Sequence, residues 1–280
     1  DTFKEIAELR NSAAAENAPI DSVDEVTMLS YAHQGFLLSN LGQINESETL
    51  SHICFSYLKE AGYQQEFSEC LHNLGVNASF RGEYETAKDF LEEAIMIGRN
   101  CHHTMWPTYL LWLGHVYFLL GEYEEGLMTL KKCRDLFLEK GTLWGAAFAI
   151  SKMGLAADGL GEHTQALNDH KEALAVFEQI KNEAGKGYSL SRMSMSACFL
   201  KDFESALKYG NDAREIFKNL SHRWGLSSSL SHVGFAYVGL GQIDQAREQF
   251  LKALEISQDD QLVPLSLFAL AGLACVSMLS

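Results

Sequence analysis

Three hydroxyl residues, Ser151, Ser191 and Ser231, stand 40 residues apart, and each is followed by a nitrogen-bearing side chain: Lys152, Arg192 and His232. The chain holds 37 acidic against 22 basic residues and a formal charge of −15, so a basic row stands out in it. Its chemistry would be anion capture, because cations aligned by a common spacing can receive a carboxylate or an acidic side chain through charge-assisted hydrogen bonds. The plain alternative is that each charge pairs with a nearby Glu or Asp while the serines fill out helices. A second candidate cluster is Cys101-His102-His103. Adjacent histidines seldom both reach one ion, and no further Cys or His pair lies at zinc spacing, so no metal site is expected. Neither a glycine-rich phosphate loop nor a recognisable nucleophile and base pair occurs, so the chain is read as non-catalytic and without a cofactor.

The 40-residue step of that row is the step of the whole chain. Turn residues recur at Gly42, Gly82, Gly121, Gly161, Lys201 and Gly241, with spacings of 40, 39, 40, 40 and 40. Seven residues before each turn stands a small side chain: Gly35, Gly75, Gly114, Gly154, Ser194 and Gly234. Five after it come Ser47, Ala87, Gly126, Ala166, Ala206 and Ala246, and twelve after it Cys54, Ala94, Cys133, Ala173, Ala213 and Ala253. Short side chains at fixed offsets from a turn mark where two antiparallel helices cross closely. Leu74, Leu113, Met153, Met193 and Val233 supply the bulk between them, and Tyr123 and Phe203, two after a turn, are placed to cap a helix pair. With no run of alternating β-branched residues, the fold class is all-α.

Val233-Gly234, Tyr237, Gly241, Ala246, Phe250 and Ala253 together resemble the tetratricopeptide repeat, and the likeness extends over nearly all of residues 1–280. It implies a right-handed superhelical solenoid of antiparallel helix pairs, with six full repeats and a partial repeat at each end. The repeat exceeds the usual 34 residues and lacks the closing proline, which predicts longer helices and longer joints. Pro19, Pro107 and Pro264 fall at those joints, where a missing amide donor costs no helical bond. The joints Glu139-Lys140-Gly141-Thr142-Leu143-Trp144-Gly145 and Leu220-Ser221-His222-Arg223-Trp224-Gly225 resemble the long-repeat arrays of bacterial signal-transduction ATPases and maltose-regulator-type activators.

In that family the first helix of each repeat lines a concave groove. Carried over by counting from the turns, the groove positions are Phe36, Val76, Phe80, His115, Leu155, Met195, Phe199 and Phe235, flanked by Phe148 and Tyr188. The basic row with its serines then lies beside an apolar stripe. The resemblance implies a protein- or peptide-binding sensor or interaction domain of a larger regulatory protein, with a receptor for a short signalling peptide or a pure assembly scaffold as the alternatives. The position six before the turn is apolar or His in these repeats, which argues against the Asn-based clamp that holds chaperone C-termini.

Charge and composition narrow the partners further. An acidic chain without a basic patch is a poor match for nucleic acid or an anionic membrane. Six cysteines without dense spacing fit a reducing cytoplasm better than a disulfide scaffold. Residues 262–279 carry no charge but keep the repeat register, so they read as a first helix and not as a membrane span. Ala7 and Ala14 fall on second-helix positions at one end, and Leu270, Leu273 and Ala274 on first-helix positions at the other. The sequence therefore reads as a fragment cut within repeats, with an apolar end of a kind that drives homodimerisation.

Overall fold

The computed structural model describes residues 25–40, 43–259 and 263–279. Gly42, Pro19, Ala7 and Ala14 lie outside the described residues. The chain falls into two compact units, one reaching Thr104 and the other starting at Met105. The first unit contains α1 (Glu25–Asn40), α2 (Ile44–Ala61), α3 (Gln64–Phe80) and α4 (Tyr84–Asn100). The second contains α5 (Trp106–Leu120), α6 (Tyr123–Glu139), α7 (Leu143–Gly159), α8 (His163–Gln179), α9 (Glu183–Phe199), α10 (Phe203–Asn219), α11 (Arg223–Gly239), α12 (Ile243–Asp259) and α13 (Val263–Leu279). Among the described residues there is no strand. The all-α expectation holds in both units, each a stack of antiparallel helix pairs.

The period has a simple physical origin. From α6 to α12 each helix is seventeen residues long and each connection three, so a pair with its two connections occupies 40 residues. The length beyond a standard repeat therefore goes into the helices, and the expected longer joints are absent there. Pro107 and Pro264 sit one residue inside α5 and α13, where a first-turn amide has no acceptor anyway. Helix ends are closed by left-handed residues: Gly82, Gly121, Gly161 and Gly241 at the turns predicted from the sequence, with Lys201 taking the same conformation at φ 61°.

Second helices bury one narrow stripe. In α4 it is Ala87, Leu91, Ala94 and Gly98, and in α10 it is Ala206, Gly210, Ala213 and Phe217, the same offsets in each case. This is the i, i+4, i+7, i+11 face of a helix with one wet side. The crossings predicted from small residues are close: Ser47 Oγ donates to Gly35 O at 2.8 Å, and Ser194 Oγ donates to Ala206 O at 2.8 Å. The two serines stand on opposite partners of equivalent crossings. Seams between repeats use glycine too. A Cβ on Gly145, Gly185 or Gly225 would lie within 2.4 Å of the ring of Phe137, Phe177 or Phe217, which explains the Trp-Gly spelling of two of these joints. Tyr123 and Phe203, read as caps for a helix pair, lie over Gly159 and Gly239 of the following first helices.

First helices are buried on two sides, and α7 and α11 accordingly bury most of their length. Within the second unit each first helix touches the next first helix, whereas the second helices do not touch one another. The first helices therefore form the inner layer of that stack. In α13 only Leu265, Ala269, Gly272 and Val276 are buried, leaving Val263, Leu267 and Met278 exposed. No helix among the described residues is long and apolar enough to cross a membrane.

Candidate ligand-binding face

The inner layer of the second unit carries a polar seam through an otherwise apolar core. Nine residues before each turn stand Trp112, Lys152, Arg192 and His232, contributed by α5, α7, α9 and α11. Lys152 Nζ lies 5.3 Å above the Trp112 ring, a cation-π contact. Neither Lys152 nor Arg192 makes a salt bridge with a carboxylate among the described residues. Burial pushes the Lys152 amine down to about 7, with the charge of Arg192 acting in the same sense and the Cys133 thiol weakly opposing it. Burial also lowers Arg192, while Asp158 and Tyr188 pull it back. Burial thus acts against both cations, and the Arg192 charge further disfavours that of Lys152.

His115 of α5 feels both. Its imidazole is held well below the usual range by burial, then by Lys152, then by Arg192. Its Nδ1 is buried without a hydrogen-bond partner among the described residues. Asp158, at the C-terminal end of α7, is the nearby acid. It accepts from Ser196 Oγ at 2.7 Å and lies 2.9 Å from His163 Nδ1, and burial nonetheless raises its carboxyl.

His170 is the least expected member. It occupies the α8 register held by Leu91 in α4, Leu130 in α6 and Phe250 in α12, and its ring lies over Gly154 as Leu130 lies over Gly114. It is fully buried, both ring nitrogens lack hydrogen-bond partners among the described residues, and burial depresses it to about 3. Its Nε2 is 3.9 Å from Asp158, too long for a hydrogen bond. A polar ring in a core position without partners costs about 1–3 kcal/mol. His170→Leu is therefore expected to raise the unfolding free energy of the second unit by about that amount, read from urea denaturation at pH 7. A lower midpoint would show that the imidazole holds a stabilising contact.

The serine row takes other roles. Ser151 is buried, Ser191 Oγ is hydrogen-bonded to His232 Nδ1 at 2.9 Å, and Ser231 Oγ donates to Ser227 O at 3.2 Å. His232 is fully buried, meets the Phe268 ring edge-on and is depressed to about 3 by burial. Of the row, Lys152 and Arg192 are the members that carry a charge without a salt bridge among the described residues.

The apolar stripe divides as well. Val76 and Leu155 are buried. Phe148 packs between Trp144 and Phe177, and Phe235 between Phe250 and Phe268, so both rings belong to the packing. Tyr188 meets Phe217 edge-on and lies tilted against Trp224, and its hydroxyl is 3.0 Å from His222 Nε2, while His222 Nδ1 accepts the Gly225 amide and caps α11. Met195 is half-buried. Phe199 is 48% exposed and lies on the His163 ring at 4.5 Å. In the first unit Phe36 is half-buried near His72, and Phe80 is 50% exposed. In the Cys101-His102-His103 cluster, His102 supplies the left-handed joint residue and His103 Nε2 turns inward to Glu69 at 3.1 Å. Among the described residues no group of three or more His, Cys, Asp or Glu could hold a metal. Trp112 was legible at the same register as the basic row but escapes a reading that follows charge alone.

A family model for the tetratricopeptide repeat matches residues 107–179 and 187–259, and a second one matches residues 68–99. The chain belongs to the tetratricopeptide repeat family. The tetratricopeptide fold brings similar solved structures with it. One is the Rap protein complexed with Competence and Sporulation Factor, at 13% identity and TM-score 0.74, covering 92% of this chain and 73% of that one. NprR in complex with its cognate peptide NprX aligns at 12% identity and TM-score 0.72, over 96% of this chain and 76% of that one. A signal-transduction ATPase with a tetratricopeptide repeat sensor from Pyrococcus horikoshii aligns at 15% identity and TM-score 0.63, over 89% of this chain and 38% of that one. At these identities the likeness is one of fold. No curated protein matches the chain.

Proposed function

We propose that this tetratricopeptide array is a non-catalytic binding domain that holds a peptide or protein segment along the inner layer of its second unit, as the sensing or interaction part of a larger cytoplasmic regulator. The observation that carries the reading is the pair Lys152 and Arg192 on that layer, neither in a salt bridge among the described residues, with the half-exposed Phe199 ring on the same helix as Arg192. A desolvated cation pair is costly to maintain. In a chain of charge −15 its retention is easiest to understand if a partner supplies the missing negative charge. The likeness in fold to NprR in complex with its cognate peptide and to the Rap protein complexed with Competence and Sporulation Factor supports the same reading.

The reading makes a direct demand on the exposed part of the face. Met195→Asp with Phe199→Asp should abolish capture of the bound segment, and because both side chains reach solvent, helicity by circular dichroism should be unchanged. Leu155 and Phe235 are unsuited to this test because an acid there would enter the core. Calorimetry with pools of short peptides, set beside pull-down of large proteins, separates a short-peptide receptor from an interaction domain. Undiminished capture by the double variant defeats the inner-layer reading, and an absence of ligand-linked stabilisation points to a scaffold.

A further inference from the structure

We propose that Cys54 and Cys70 are a redox modification site, which a peroxide closes into a disulfide that ties α2 to α3 in the first unit. The two sulfurs already touch. Cys54 Sγ lies 4.0 Å from Cys70 Sγ, and both thiols aim at the Ser51 carbonyl oxygen, at 3.5 Å and 3.2 Å respectively. A disulfide needs about 2 Å between sulfurs, so each has about 1 Å to travel. The chain sets the pair level across one joint. Cys54 stands seven residues before the end of α2 at Ala61, and Cys70 six residues after the start of α3 at Gln64.

The repeat itself does not ask for thiols here. Cys54 occupies the small position twelve after a turn, and Cys70 the position twelve before the next turn. In the second unit the same two positions hold Cys133 with Ala149, and Ala173 with Ser189. Ala and Ser therefore satisfy the packing, and the second sulfur at the first unit's joint adds chemistry that packing does not require.

Both side chains are fully buried, and a buried thiol is ordinarily inert. Two features offset this. α2 and α3 share the least contact of any consecutive helices within either unit, so an opening that admits a water-sized oxidant costs least there. The hydrogen bond between the sulfurs lowers the Cys54 thiol and raises that of Cys70, so the first proton leaves Cys54. The Cys54 thiolate attacks one oxygen of hydrogen peroxide, the O–O bond breaks, and Cys54 becomes a sulfenic acid while the departing hydroxide recombines with the released proton as water. The Cys70 sulfur then attacks the Cys54 sulfur. The S–S bond forms, the S–O bond breaks, and the second hydroxide takes the Cys70 proton, so the dithiol loses two electrons, the peroxide gains them, and two waters result. In a reducing compartment such a bond is transient and reports the oxidant. It closes a ring across sixteen positions of the chain and joins consecutive repeats, which removes the freedom that parting of the joint requires.

The test treats the full chain with a small excess of hydrogen peroxide, blocks the remaining thiols by alkylation, and maps unreduced peptides by mass spectrometry. Peptides cross-linked through Cys54 and Cys70 are expected, and amide exchange in α2 and α3 should slow by about tenfold or more, well within the loop-closure effect of a ring of that size. Dithiothreitol should reverse both changes, which separates the disulfide from methionine sulfoxide, a product that thiol reduction of a disulfide leaves in place. Cys54→Ala and Cys70→Ser place residues that already fill these positions in other repeats, so both variants should keep their helicity by circular dichroism and lose the cross-link and the slowed exchange. The proposal is overturned if Cys54 and Cys70 are still reduced when the partly exposed Cys101, Cys198 and Cys275 are oxidised, if either one pairs with a different cysteine, or if the cross-linked protein exchanges no more slowly than the reduced one.

Discussion

Replacing Phe250 by Ala is expected to lower the unfolding free energy of the second unit by about 3–5 kcal/mol, the cost of emptying a fully buried aromatic site. The ring is fully buried in α12. It fills space on two sides that other residues would occupy: a Cβ on Gly234 would lie 2.7 Å from it, and one on Gly272 would lie 2.2 Å from it. Phe235 packs edge-on against it at 4.9 Å, and Ala246 and Val276 complete the cluster. Two glycines facing one ring leave no side chain that can relax into the void, so the cavity term should be near its upper range. Phe250→Leu should cost less, because Leu130 and Leu91 serve the same register over Gly114 and Gly75. Urea midpoints of both variants measure this. A loss below about 1 kcal/mol for the alanine would mean that the helices close over the gap.

Acidification should destabilise both units steeply. His72 in the first unit is depressed to about 4, and His170 and His232 in the second to about 3, in each case chiefly by burial. The unfolded chain takes up protons on these rings near the ordinary histidine value of about 6.5, and the folded chain resists doing so until near its depressed values. Folding stability is therefore full above about 6.5 and is lost as pH falls toward 4 and 3, at about 1.4 kcal/mol per pH unit for each ring. By pH 4 His170 and His232 together should remove roughly 7 kcal/mol, comparable with the whole stability of a typical domain. His115 acts in the same direction. Asp158 and Asp169, both raised by burial, oppose it, since protonating them in the folded state relieves their desolvation. Denaturant titrations between pH 7 and pH 4 should show this slope, and His170→Leu should reduce it by about one proton. A flat profile would show that the buried rings are not neutral in the folded state.

The same residues show why some of the site was legible in advance and some was not. Lys152 and Arg192 could be picked out because an aligned pair of cations in an acidic chain is visible as a spacing. His170 was hidden, although its position is fully determined by the period, because a reading by small and large residues registers it as one more side chain facing a glycine. Only the absence of hydrogen-bond partners distinguishes it from the leucines that share its register. His232 was read as the third member of the basic row, yet its ring is committed to Ser191 and Phe268. Phe148 and Phe235 were read as groove and are packed between other rings.

What the sequence determined by itself was the repeat. Helix length, turn position and the small-residue crossings depend on neighbours a few residues away along the chain or one helix pair away, and a 40-residue period repeats that local information at every step. What only the tertiary structure decided was which polar groups are matched. Hydrogen bonding and desolvation depend on side chains that meet from different repeats, as Ser191 meets His232 and Ser196 meets Asp158, and a spacing does not say which way a side chain turns. Burial then acts on the charge states that those orientations leave, as it does on Lys152 and Arg192, the cations of the inner layer without a salt bridge among the described residues.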